Sequence, residues 1–144
     1  MTESFEYFAK NGWESEQDYK YTAKWGACAY DKSLTVGSNK GYETVPVDND
    51  LQLMAAIVNG PVSVAIDMDA MYNLKGGVFT GCRPDSQTRH GSLVVGYGNE
   101  NGQDFWLLKE TLGTDFAEKG FIKIARGNHS NDCAITKQAS YPTM

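Results

Sequence analysis

Residues 48–66 read Asp48-Asn49-Asp50-Leu51-Gln52-Leu53-Met54-Ala55-Ala56-Ile57-Val58-Asn59-Gly60-Pro61-Val62-Ser63-Val64-Ala65-Ile66. Within this stretch the hydrophobic pattern changes from the period of a helix to that of a strand. Asp48 or Asp50 can cap a helix over 48–59, with Leu51, Met54, Ala55 and Val58 along one stripe, and Asn59-Gly60-Pro61 stops it. Past the stop, Val62, Val64 and Ile66 alternate with smaller residues, as in a strand with one buried face.

Towards the C-terminus the strand signals continue. Gly76-Gly77 leads into Val78-Phe79, residues 91–97 run GSLVVGY, and residues 105–109 run FWLLK. Phe121, Ile122 and Ile124 follow Gly120, and residues 135–141 supply a last short strand. One main helix followed by five or six short strands predicts an α+β fold with a curled antiparallel sheet or barrel. Towards the N-terminus, Phe5, Phe8 and Ala9 share one face of a short helix that Asn11-Gly12 ends. Residues 13–46 carry no sustained period and read as long loops with short extended pieces. The expected organisation is an N-terminal helix and loop segment, 1–46, and an antiparallel β domain, 47–144, with its helix at 48–59.

The chain has 144 residues, 41% hydrophobic, 12% aromatic and 22% charged, which suits one folded domain rather than a disordered or coiled-coil chain. A formal charge of −5 argues against a nucleic-acid or anionic-membrane partner, both of which want an extended basic surface. No window approaches eighteen apolar residues, and MTESFEYFAKNG has no signal-like apolar run. These observations fix no location: the chain reads as lysosomal or secreted if a leader has been removed, and as cytoplasmic otherwise.

Two histidines are present. His90 stands in Thr88-Arg89-His90-Gly91, at the entrance of an apolar strand, a place suited to acid/base work. Glu110 follows the FWLLK strand, and if the two strands are neighbours their ends bring Glu110 to His90, where a carboxylate fixes the imidazole tautomer. His129 and Asp132 lie in a polar turn without the spacing of a metal site, and Asn128-His129-Ser130 is a glycosylation triplet that matters only in a secreted protein. No phosphate-binding glycine motif occurs, so no cofactor and no metal is expected. Cys28, Cys82 and Cys133 form no CxxC pair, and their odd number leaves at least one thiol free or bonded to another chain.

These residues occur in blocks that resemble the papain-like cysteine proteases, particularly the cathepsin L group. The blocks are Asn59-Gly60-Pro61-Val62-Ser63-Val64-Ala65-Ile66-Asp67, Gly76-Gly77-Val78-Phe79, His90-Gly91 with Val94-Val95-Gly96-Tyr97-Gly98, and Gly120-Phe121-Ile122-Lys123-Ile124-Ala125-Arg126. Ala139-Ser140-Tyr141-Pro142-Thr143-Met144 closes the series, and Phe8-Ala9-Lys10-Asn11-Gly12 with Tyr19-Lys20-Tyr21-Thr22 opens it. The resemblance implies the right-hand domain of that fold, preceded by a remnant of its left-hand side.

In this family the nucleophilic cysteine stands near the mature N-terminus, with histidine and asparagine roughly 130–150 residues downstream. The resemblance places this chain after that cysteine and after the oxyanion-hole glutamine. His90 matches the general base, but the Lys-Asn-Ser-Trp-Gly motif reads Lys109-Glu110-Thr111-Leu112-Gly113. Glu110 stands for the orienting asparagine and Leu112 for the tryptophan that shields it; Phe116-Ala117 replaces a second tryptophan-glycine pair. Ala65, Thr88 and Gln138 approximate remnants of the substrate pocket. The resemblance also suggests Cys82–Cys133 as the internal bridge and matches Cys28 to a cysteine bonded to the left domain. Trp25-Gly26-Ala27-Cys28-Ala29-Tyr30 superficially echoes a nucleophile segment, so Cys28 is also a candidate nucleophile. The expectation is a non-peptidase binding or assembly domain. Its partner would be a second copy or another protein covering the apolar surface, with a peptide or small-molecule ligand as a further option. The alternatives are a protease heavy chain completed by a light chain that brings the cysteine, and an enzyme using His90 with Glu110 on a small substrate.

Overall fold

The computed structural model describes residues 1–127 and 132–144, so His129 and the glycosylation triplet lie outside the described residues. The chain divides into two compact units, Met1–Glu43 with Pro142–Met144, and Thr44–Tyr141.

In the first unit, α1 (Thr2–Asn11) ends at Gly12, whose φ of 79° suits a residue without a side chain. A Cβ on Gly12 would lie 2.3 Å from Thr35 Cγ2, so the position also needs glycine for space. β1 (Trp13–Glu14) pairs antiparallel with β2 (Thr35–Gly37), which follows a 3-10 turn at Lys32–Leu34. Aromatic edges hold the helix to its neighbours: Phe8 meets Trp13 at 6.0 Å and Tyr7 meets Tyr30 at 6.1 Å between ring centroids. β3 (Gly41–Thr44) follows.

The second unit holds the main core. α2 (Asp50–Asn59) is capped by Asn49, whose Oδ1 accepts from the Gln52 amide at 3.0 Å. Its buried face is Leu53, Ala56 and Ile57, while Leu51 and Val58 are exposed. The helix thus turns a different stripe inward from the one expected, and neither Asp48 nor Asp50 is the capping side chain. β4 (Val62–Ile66), β5 (Val78–Phe79), β6 (His90–Glu100), β7 (Gln103–Lys109), β8 (Phe121–Ala125) and β9 (Ala139–Thr143) complete the elements. Val62, Val64, Ile66, Val94, Trp106, Leu108, Ile122 and Ile124 point to the buried side, two residues apart along each strand.

The sheet order is β3-β9-β4-β6-β7-β8-β5. This corrects the expected curled antiparallel sheet or barrel. The sheet is open, with β3 and β5 as its two unpaired edges, and it is mixed, because β5 runs parallel to β8. Alternating hydrophobicity reports that a strand has a buried face. It carries no information about strand direction, or about whether the outer strands meet. β5 is reached by a long irregular connection from β4 rather than by a tight turn, which leaves it free to join an edge in the parallel sense.

Candidate functional site

β6 carries His90 at its first position and Ser92 two residues on, so both side chains leave the same face of the strand. β4 fixes one flank of β6, pairing Ile66 with His90 and Ala65 with Gly91. β7 fixes the other, pairing Leu93 with Lys109. One step along that antiparallel register, Ser92 comes opposite Glu110, where β7 has ended. The Glu110 amide donates to the Gly120 carbonyl at 2.8 Å, which ties the backbone at that point. Gly120 has a φ of 86°, and a Cβ there would press the Gly113 carbonyl at 3.1 Å, so glycine is required by conformation and by room.

The contacts are short and local. His90 Nε2 lies 2.6 Å from Glu110 Oε2, and the Ser92 hydroxyl donates to Glu110 Oε1 at 2.6 Å. The Glu110 side chain has no solvent exposure, whereas that of His90 is 20% exposed. Both carboxylate oxygens are therefore engaged, as a buried acid requires. Among the described residues, His90 Nδ1 has no hydrogen-bond partner. Arg89, the neighbour in sequence, turns to Asp69 at 3.7 Å, a pairing exposed enough to contribute little.

The loop that delivers His90 is anchored at Asp67. Its carboxylate accepts from the amides of Asp69 at 3.1 Å and Gln87 at 3.2 Å, and its own amide donates to the Cys133 carbonyl at 2.8 Å. Burial alone pushes this carboxyl up. The two amides, the Ser86 hydroxyl and the Arg83 charge outweigh it and hold the group below its ordinary value. Cys82 and Cys133 form a disulfide in the same region.

Of the remaining candidates, Ala65, Thr88 and Gln138 belong to the second unit and Cys28 to the first. The Ala65 amide donates to the Gln138 carbonyl at 3.0 Å, with Gln138 itself exposed, and Thr88 is half-buried two residues before His90. Cys28 is an exposed free thiol in the first unit, on the wall of an aromatic groove of about 520 Å³ with Tyr7, Trp13 and Tyr30. No helix begins at Cys28; the next ordered turn starts at Lys32, and Glu3 and Glu14 line the same groove. Asp132 is buried and accepts from Thr136 Oγ1 at 2.6 Å and the Ala134 amide at 3.0 Å. Among the described residues, no group of three metal-ligating side chains occurs. No helix of the described residues is long and apolar enough to cross a membrane.

Ser92 is the site residue that the sequence reading passed over. Its signal was a polar residue at an inward position, in line with His90 and Val94.

A family model described as papain family cysteine protease matches residues 1–143. The chain is 40% identical over 148 residues to cathepsin S of Bos taurus, covering 100% of this chain and 44% of that protein. It is 39% identical over 143 residues to a cathepsin L-like proteinase of Phaedon cochleariae, covering 97% of this chain and 44% of the relative. Among solved structures, digestive procathepsin L 3 of Tenebrio molitor larval midgut superposes with a TM-score of 0.90 at 38% identity, covering 100% of this chain and 48% of that one. The chain thus spans less than half the length of these relatives. Across the described residues no Cys–His–Asn triad is assembled: two cysteines are bonded to each other, and the imidazole at the resembling position faces a glutamate.

Proposed function

Because the chain belongs to the papain family of cysteine proteases, cathepsin L type, yet assembles no Cys–His–Asn triad among its described residues, we propose that these 144 residues act as a binding or assembly domain rather than as a peptidase on their own. The observation that carries this reading is the pairing of His90 with Glu110 while the only free thiol, Cys28, is exposed in the first unit. Exposed aromatic side chains support it: Trp25 and Tyr21 are 104% and 84% exposed on the first unit, a costly disposition for a surface that meets only water.

The test has two arms on the natively isolated protein. Fluorogenic peptide substrates and an epoxide thiol inhibitor are expected to give no turnover and no stoichiometric labelling. Size exclusion with non-reducing mass analysis is expected to show a second polypeptide or a second copy in fixed proportion. Hydrolysis lost in Cys28→Ser overturns the reading, as does a monomer with no partner.

A second reading is favoured by one specific observation, the open Nδ1 of a partly exposed His90 whose Nε2 is held by a carboxylate. This is the disposition of a general base awaiting a proton donor. In this reading a segment outside these 144 residues brings a thiol to His90, or a small acidic substrate occupies its place. A cysteine-containing polypeptide that restores hydrolysis on mixing, with loss in His90→Gln, is the result that selects it.

A further inference from the structure

We propose that Ser92 is a positioning residue for His90: its hydroxyl holds the Glu110 carboxylate so that the imidazole keeps its proton on Nε2 and presents the Nδ1 lone pair outward. The proposal deepens the second reading above, in which His90 is the base, but its central claim concerns only the tautomer of one side chain.

The position of Ser92 is an apolar one by pattern. It is buried on β6 beside Val94, and a hydroxyl placed there is unfavourable unless bonded. Two acceptors lie within reach, Glu110 Oε1 at 2.6 Å and the Lys109 carbonyl at 3.4 Å. A hydroxyl has one hydrogen, and the shorter contact takes it.

That choice fixes what Glu110 can offer His90. With Oε1 accepting from Ser92, the carboxylate turns Oε2 to Nε2 at 2.6 Å. An ionised carboxylate only accepts, so in the neutral imidazole the proton must sit on Nε2. Nδ1 then keeps its lone pair, and the partly exposed side chain can present it to a proton donor.

Without the hydroxyl, Oε1 of a side chain with no solvent exposure loses its donor. The carboxyl group is then free to rotate, or to carry a proton itself. A carboxyl that has taken up a proton from solvent donates it in a hydrogen bond to Nε2. The neutral imidazole, its former Nε2 proton exchanged with solvent, then carries its own proton on Nδ1 and loses the outward lone pair. The choice between hydroxyl and methyl at position 92 is thus a choice between two tautomers at position 90.

Ring-nitrogen chemical shifts on uniformly labelled protein read this directly, above the pH at which the imidazolium has lost its proton. Signals are assigned by their loss in His90→Gln. The wild type is expected to show a pyrrole-type Nε2 and a pyridine-type Nδ1. Ser92→Thr, which keeps the hydroxyl, is expected to match it. Ser92→Val, close to threonine in shape but without the hydroxyl, is expected to lose the Nε2–H signature. A merely structural serine would shift the stability of Ser92→Val and leave its tautomer unchanged, and that result overturns the proposal. A wild type carrying its proton on Nδ1 overturns it without recourse to any variant. An Nε2–H tautomer in a protein that never acts as a base counts against the second reading and leaves the role of Ser92 standing.

Discussion

The Glu110 side chain has no access to water, so its two oxygens depend on His90 and Ser92 alone for the partners described. Removing one member of such a set leaves a buried carboxylate short of a partner, at a cost of about 3 kcal/mol. His90→Ala is therefore expected to destabilise the protein by roughly that amount, and by less than half as much in a Glu110→Gln background, where the residual group is neutral. Urea unfolding of the four proteins of that cycle is the measurement, and a coupling of at least about 1 kcal/mol is expected. Strict additivity would show that the two side chains do not share their burial. Asp67 offers a pH-dependent case. Its carboxyl is held below its ordinary value, so its contribution is complete above the unfolded value of about 4 and is lost as pH falls through the lower folded value. Asp67→Asn is expected to cost about 2 kcal/mol at neutral pH, with the gap to wild type closing only in strong acid. Thermal midpoints of both proteins from about pH 7 to about pH 2 test the sign; a gap that widens on acidification reverses it. At this scale His90 and Glu110 were legible because each borders a run of apolar residues. Ser92 was not, because its partner lies 18 residues away and is chosen by strand register, which one sequence does not display.

Elements were legible where period and punctuation agree. The Gly60-Pro61 stop between α2 and β4 was read as it stands, and so was the buried alternation of Val62, Val64 and Ile66. The face of α2 was not. Leu51-Met54-Ala55-Val58 and Leu53-Ala56-Ile57 both have helical spacing, and packing against the sheet selects the second. The cap went to Asn49 because Asp48 is engaged elsewhere, accepting from Lys137 Nζ at 2.7 Å, an interaction far away in sequence. The open sheet escaped for a related reason, since edge pairing is decided by the path of the connections and not by hydrophobicity. The turn between β7 and β8 carries a local conflict of its own. Ala117 and Lys119 occupy left-handed backbone, with φ of 44° and 58°, next to Gly120 whose carbonyl holds the Glu110 amide. A side chain in that region costs about 1 kcal/mol that glycine does not. Lys119 is exposed, so Lys119→Gly removes the strain with little lost packing. A stabilisation of roughly 0.5–1 kcal/mol is expected, or about 2–4 °C in calorimetric midpoint. A lower midpoint would mean that the lysine side chain matters more than its backbone.

At the scale of the whole molecule, the three cysteines divide into two kinds, and the division can be tested in one set of variants. Cys82 and Cys133 close a loop of sequence separation 51 within the second unit, and both are buried. Chain entropy alone assigns such a loop about 4 kcal/mol. Cys28 closes nothing and is exposed in the first unit. An exposed thiol outside any disulfide contributes to stability no more than other surface groups, within about 0.5 kcal/mol. Cys82→Ser with Cys133→Ser is therefore expected to lower unfolding free energy by about 4 kcal/mol in denaturant, and Cys28→Ser to leave it unchanged. The order reverses for association. Under oxidising conditions a lone accessible thiol can only pair with a second molecule, so wild type is expected to run as a covalent species on non-reducing gels, and Cys28→Ser is not. The same exchange leaves the Cys82–Cys133 bond untouched, because its sulfurs are shielded from an attacking thiolate. Covalent species that persist in Cys28→Ser would move the exchange onto the buried pair. The distinction between a structural bridge and a linking thiol would then fail, together with the part of the binding reading that relies on Cys28.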